Sequence, residues 1–211
     1  GSWVFVALGA PARVRPFLTA MEAWRALEPD HWAVADAARL AAVRADRAAA
    51  ANAWFETNAG QWDAIRSLHI AESEVEAAMT RVLGLEEGQG APIHQLIDIG
   101  TGTGRMLELF GGAAEHALGI DRSSEMLRLA RAKLAERGLD HAELRQADLY
   151  ALPLGDGAAD LAILHHVLHF AQQPGAAILE AARVLAPGGR LLIADFAPHD
   201  REELRMQDAH A

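Results

Sequence analysis

The residues best placed to bind a ligand are Asp98, the alternating glycines Gly100, Gly102 and Gly104, and the carboxylate of Asp121. Residues 96–105, LIDIGTGTGR, read as an apolar strand that closes on Asp98, turns sharply, and opens a helix at Arg105. Glycines in such a turn let a ligand approach the backbone where a Cβ would clash. The unpaired N–H groups at the helix start favour an electron-rich ligand. A nucleotide-type pocket is the chemistry this implies. The spacing is not the G-x-G-x-x-G of dinucleotide-binding folds, and no G-x-x-x-x-G-K-[ST] phosphate loop is present. Asp121 ends the next apolar run, where a carboxylate can accept both hydroxyls of a ribose.

A second group is His165, His166 and His169, placed after an apolar run at 161–164. That is the strand end at which ligands bind in open α/β sheets. His165 lines the pocket near its reactive end, acts as a base, or is simply satisfied at the sheet edge; the sequence leaves these open. His165 and His169 would share a helix face, but no acidic third ligand is spaced nearby, so no metal site is expected. Trp62-Asp63-x-x-Arg66 lies in a helix ahead of the sheet, where packing explains the tryptophan better than ligand contact does.

The elements that must position these residues alternate. Strands are predicted at 93–99, 117–120, 142–146, 161–164 and 191–194, with helices at about 103–110, from Ser123 to Gly138, and from Pro174 to Leu185. Ser123 caps the second helix, and Pro187-Gly188-Gly189 ends the third. Strand–helix repetition means a parallel, Rossmann-like α/β sheet with helices on both faces. Ahead of it the pattern is helical. A strand is predicted at 3–8, then helices at Pro11 to Leu27 and 33–58, with Glu28-Pro29-Asp30 between them. The first presents Val14, Phe17, Leu18, Met21 and Trp24 on one face. The second is alanine-rich with a thin apolar seam of Val34, Leu40, Val43, Trp54 and Phe55, and packs on a partner helix or on its own domain. Further helices are expected around Ile65, Leu68 and His69, and from Glu72 to Leu83 with Val75, Ala78, Met79 and Val82 inward. A domain boundary is placed near residue 60.

Composition narrows the function. The formal net charge is −10, and residues 1–60 hold six Arg against six acidic residues, so the whole surplus lies in 61–211. An acidic domain is not built to grip nucleic-acid phosphates by charge. No apolar run approaches a membrane span. Cysteine is absent, which excludes disulfides, thiolate metal sites and cysteine nucleophiles and fits a cytoplasmic protein.

Four motifs in order now carry a resemblance. D-x-G-x-G-x-G at 98–104, Asp121, Gln146-Ala147-Asp148-Leu149 with Leu152-Pro153, and Leu185-Ala186-Pro187-Gly188-Gly189-Arg190 resemble class I S-adenosylmethionine-dependent methyltransferases of the UbiE-like branch. The resemblance implies S-adenosylmethionine or S-adenosylhomocysteine as the ligand. It implies that Gly100 and Gly102 pass close to its methionine part and ribose, within a loop that also contains Thr101 and Gly104. Asp98 would orient that loop or meet the amino group. Asp121, followed by Arg122, would bind the ribose, and Met126 would touch the adenine. Asp148 would accept from the adenine amino group, and the Leu149 N–H would donate to the ring. His165 would stand at the methionine end; no catalytic residue is otherwise assigned, since methyl transfer from a sulfonium depends mainly on alignment.

Residues 1–60 resemble the tail of an ArsR-type winged-helix regulator, with 3–8 as the last wing strand and 11–27 as a dimerising helix. The chain is thus expected to be a fragment, cut inside the regulator and again before the end of the methyltransferase fold. A homodimer through 11–58 and DNA contact only through the absent winged-helix part follow as expectations. Two functions remain: methylation of a small molecule, or a sensor whose ligand-bound state alters DNA binding. Arsenite chemistry, which uses thiolates, is not expected from a chain without cysteine.

Overall fold

The computed structural model describes residues 11–27, 31–63, 72–85 and 93–196. The strand expected at 3–8, the helix around Ile65, Leu68 and His69, Arg66, and residues 197–211 lie outside the described residues. The chain divides into two compact units, 1–47 and 48–211. The division falls earlier than residue 60 because the aromatic end of the alanine-rich helix belongs with the second unit.

The first unit contains α1 (Pro11–Leu27) and the beginning of α2 (His31–Asn58). Both are helices as the periodicity predicts. Their apolar side chains stay in solvent: Phe17 is 65%, Trp24 71% and Trp32 62% exposed, with Val34, Leu40 and Val43 also open.

In the second unit, α3 (Glu72–Leu83) precedes β1 (Ile93–Ile99), α4 (Arg105–Phe110), β2 (Ala114–Asp121), α5 (Ser124–Glu136), β3 (Ala142–Gln146), β4 (Ala159–His165), α6 (Pro174–Val184) and β5 (Leu185–Ala194). The five strands form one parallel sheet in the order β3-β2-β1-β4-β5. The order reverses direction between β1 and β4, which opens a crevice beyond their carboxyl ends.

The central strands β1, β2 and β4 bury both faces, as a parallel sheet covered by helices requires, while the outer β3 and β5 are only partly covered. Leu96, Ala117, Leu161 and Ile163 pack with Met106, Leu107 and Phe110 of α4, Leu134 of α5, and Met79 and Leu83 of α3. The opposite face, with Ile97, Leu118, Ile120, Ala162 and Leu164, packs against Ala181 and Val184 of α6. Within α3, Leu83 takes the inward place expected of Val82, which is 72% exposed.

Three strands differ in extent from the sequence reading, β4 running Ala159–His165 rather than 161–164. β2 begins at Ala114 rather than 117, because its first turn carries exposed Glu115 and His116 that give no apolar signal. β5 begins at Leu185 and contains the expected Pro187-Gly188-Gly189 turn as a bulge, since Ala159 pairs with Leu185 and Leu161 with Arg190. Beyond the bulge, Arg190 Nη1 donates to the Leu83 carbonyl at 2.9 Å and so covers the end of α3.

Candidate functional site

The carboxyl ends of β1 to β4 converge on one cleft, enclosing about 1100 Å³ with its open mouth. Asp98, Gly100, Thr101 and Gly102 come from the end of β1, and Asp121, Arg122 and Met126 from the end of β2. Asp148 and Leu149 follow β3, and His165 ends β4. Ten of the eleven residues expected to meet a cofactor therefore line this cleft. Gly104 does not. It takes a left-handed φ of 86°, which glycine alone adopts without strain, and its Cβ position would lie 3.2 Å from the Ala130 Cβ. Gly104 serves the close crossing of α4 and α5, and its conformation is why α4 starts at Arg105 rather than at Thr103.

Asp121 organises the cleft. Its Oδ2 accepts from the Gly102 N–H and its Oδ1 from the Ser123 N–H, each at 2.8 Å. Burial pushes the carboxyl above its ordinary value, opposed by the N–H groups of Ser123, Gly102 and Arg122. An ionised carboxylate has about four acceptor positions, so acceptor capacity remains beside these backbone donors. The Gly100 and Thr101 N–H groups both donate to the Ile120 carbonyl, at 2.7 and 2.9 Å, which locks the glycine turn onto β2. Ser123 caps α5 as expected, its Oγ accepting from the Met126 N–H at 3.2 Å. Asp98 is 1% exposed at the floor. Asp148 Oδ1 accepts from the Tyr150 N–H at 3.0 Å, which shapes the turn presenting Leu149.

Sequence reasoning missed the roof. Phe55, Trp62 and Phe170 line the cleft, with ring centroids 5.4 Å apart for Phe55–Trp62 and 4.8 Å for Phe55–Phe170. Trp54 joins them edge-on. Trp62 is thus both packed and part of the wall, with its Nε1 3.4 Å from where a Cβ on Gly102 would stand. Its neighbour Asp63 accepts from Thr103 Oγ1 at 2.7 Å and pairs with Lys133, tying this segment to the glycine turn and to α5. Gly119 was also missed. A Cβ there would fall 2.7 Å from Leu144, 2.8 Å from Leu107 and 2.9 Å from Thr101 Oγ1, and a lone glycine inside a strand is the signal for such close approach.

The histidine segment differs most from expectation. His166 has φ 55°, the one non-glycine left-handed residue among those described. That twist breaks strand alternation and brings the rings of His165 and His166 within 4.3 Å of each other. Two acidic residues distant in sequence approach them: Glu72 Oε1 lies 3.7 Å from His166 Nε2, and Asp195 Oδ1 lies 2.5 Å from His169 Nδ1. Burial raises the Asp195 carboxyl, but the bond and charge of His169, with the N–H groups of Phe196 and Leu168, outweigh it and hold it at about 2.

Residues 97–193 match the family model described as a methyltransferase domain. Residues 97–193 are a class I methyltransferase domain. The cofactor of this domain is S-adenosylmethionine. The chain is 31% identical over 108 residues to the uncharacterized methyltransferase YcgJ of Bacillus subtilis, covering 51% of this chain and 43% of that protein. It is 39% identical over 107 residues to a demethylmenaquinone methyltransferase of Thermus thermophilus, covering 49% of this chain and 48% of that one. The crystal structure of YcgJ shares the fold, with a TM-score of 0.58, 24% identity and coverage of 65% and 61%. A structure described as a DhpI-SAM-HEP complex superposes with a TM-score of 0.54 and 27% identity over 74% of this chain and 68% of that one. The chain spans less than half the length of the curated relatives it matches.

The methyltransferase domain suits that cofactor on its own geometry. Gly102 leaves a gap that a Cβ would close against Trp62, and Asp121 presents two fixed oxygens with acceptor capacity to the same gap. The apolar side chains of Met126 and Leu149, with Asp148, line the same cleft.

Proposed function

We propose that residues 48–196 bind S-adenosylmethionine and transfer its methyl group to a small-molecule acceptor. The observation that carries this reading is Asp121, whose carboxylate is held by Gly102 and Ser123 at the β2 edge of the cleft. The cofactor supplies an electrophilic methyl on a sulfonium, and its transfer leaves a neutral thioether. The chain's own part is to bind, align and exclude water. Asp121 accepts from the two ribose hydroxyls while keeping its bonds from the Gly102 and Ser123 N–H groups. Asp148 accepts from the adenine amino group, the Leu149 N–H donates to the ring, and Met126 packs on its face. Asp98 and the N–H groups of the glycine turn orient the methionine end, with His165 beside it. Phe55, Trp62 and Phe170 close over the cleft and hold the acceptor in line with the methyl, which supplies most of the rate.

We extend the proposal to the first unit, read as the dimerising tail of an ArsR-type regulator. The exposed Phe17, Trp24 and Trp32 support a second copy of the chain as their cover, because such a run of open aromatics is a liability in a monomer.

The test is a methyl-labelled S-adenosylmethionine assay over phenolic, quinol and amine acceptors, paired with calorimetry for S-adenosylmethionine and S-adenosylhomocysteine. Label appearing in an acceptor supports transfer. Binding of both ligands without label in any acceptor favours the sensor reading, and binding of neither removes both.

A further inference from the structure

Beside the proposed methionine end, three donors from two separate parts of the chain meet in one place. One ligand atom each from Glu72, His165 and His166 lie within 4.8 Å of one another. His166 and Glu72 side chains are only 5% and 12% exposed. A second trio, His166, His169 and Asp195, meets the same distance. Its carboxylate is already spent: Asp195 Oδ1 accepts from His169 and from the Phe196 N–H, and Oδ2 accepts from the Val167 and Leu168 N–H groups. Asp195 therefore fixes the histidine segment and offers no position for a further partner.

We propose that Glu72, His165 and His166 bind one divalent first-row transition cation. Two imidazoles and a carboxylate on one side of an ion are a donor set for zinc, manganese, iron or cobalt, and they leave positions open for an exogenous ligand. Ligand bonds of about 2.1 Å need donor atoms roughly 3 to 3.5 Å apart, which small rotations of these side chains supply. Three features of the fold hold the donors there. The left-handed backbone of His166 turns its ring to the side of His165 rather than to the opposite face of the strand. The fork of Arg105 onto Glu76, with both contacts at 2.7 Å, pins α3 and hence Glu72 at its first residue. Arg190 covers the other end of that helix.

The role of the ion toward the acceptor rests on the methyl-transfer reading; the binding of the ion does not. An acceptor hydroxyl on the cation would lose its proton to solvent more readily. Its oxygen would then form the bond to the methyl carbon as the carbon–sulfur bond breaks, with that electron pair leaving on sulfur.

The experiment titrates the whole chain with Co²⁺, read by visible absorption, and with Zn²⁺ and Mn²⁺ by calorimetry, in the absence of cofactor. An exposed trio, His94, Glu115 and His116, is a second possible binder on the surface, so a His94→Ala/His116→Ala variant removes it first. In that background one equivalent should bind, and Glu72→Gln and His166→Asn should each weaken it by about a hundredfold or more. Asn tolerates the left-handed backbone, which keeps the second variant folded. Asp195→Asn should also weaken binding, because its carboxylate fixes the backbone just after His166 through the Val167 and Leu168 N–H groups. No bound equivalent in the His94/His116 background, or binding unchanged by Glu72→Gln in a variant with the parent's circular dichroism, overturns the proposal.

Discussion

Asp121 Oδ2 and the Gly102 N–H, 2.8 Å apart, join the end of β2 to the turn after β1 across 19 residues of sequence. The carboxylate that faces the cleft is also the one that fixes the shape of the glycine turn. Substitution there acts on both. Asp121→Asn keeps the size but presents an amide hydrogen to one of three donors. S-adenosylmethionine affinity should fall by about tenfold or more, each charged hydrogen bond being worth roughly 1.5–3 kcal/mol. Calorimetry checks this, with circular dichroism confirming the fold.

The same residue gives a pH dependence. Burial raises its carboxyl in the folded protein. Its contribution to the stability of the ligand-free protein is therefore full below the unfolded value and is lost as pH rises through the folded one. Ribose hydroxyls donate to the ionised form, so affinity should fall on acidification and begin to fall at a higher pH than an ordinary carboxylate would give. Asp121→Asn should flatten that part of the profile.

Gly119→Ala should destabilise the domain by roughly 1–3 kcal/mol, the usual effect of overpacking a dense core. Its Cβ would meet Leu144, Leu107 and Thr101 at 2.7 to 2.9 Å. Chemical denaturation measures the loss.

Gly104→Ala and Gly102→Ala separate packing from binding. Both glycines are left-handed, so each variant should lose about 1–2 kcal/mol of stability. Gly104 lies off the cleft wall, and its folded variant should bind S-adenosylmethionine as the parent does. Gly102→Ala places a methyl group in the cleft wall beside Trp62 and should bind several-fold more weakly by calorimetry.

If the first unit pairs two chains, light scattering should give twice the chain mass. Trp24→Glu with Leu40→Glu should return the monomer, both side chains being exposed in a single copy.

The sheet was legible because its signals are local. β1 and β3 begin and end where the apolar runs predict, and the turn after β1 needs its glycines whatever the rest of the chain does. Asp121 was legible for the same reason, as the polar stop of a buried strand. The roof and the histidine environment were not. Phe55 meets Phe170, and Glu72 meets His166, across gaps that only the finished topology closes. The expectation of no metal site rested on the lack of an acidic residue near the histidines in sequence, whereas the fold brings Glu72 to His166 from α3. The bulge in β5 was read as a turn because its glycines look alike in either role.

The most direct test of the account is a calorimetric titration of the chain and its Asp121→Ala variant with S-adenosylmethionine. The account predicts one site in the parent and an affinity lower by about tenfold or more in the variant. Equal affinity in the two folded proteins would contradict it.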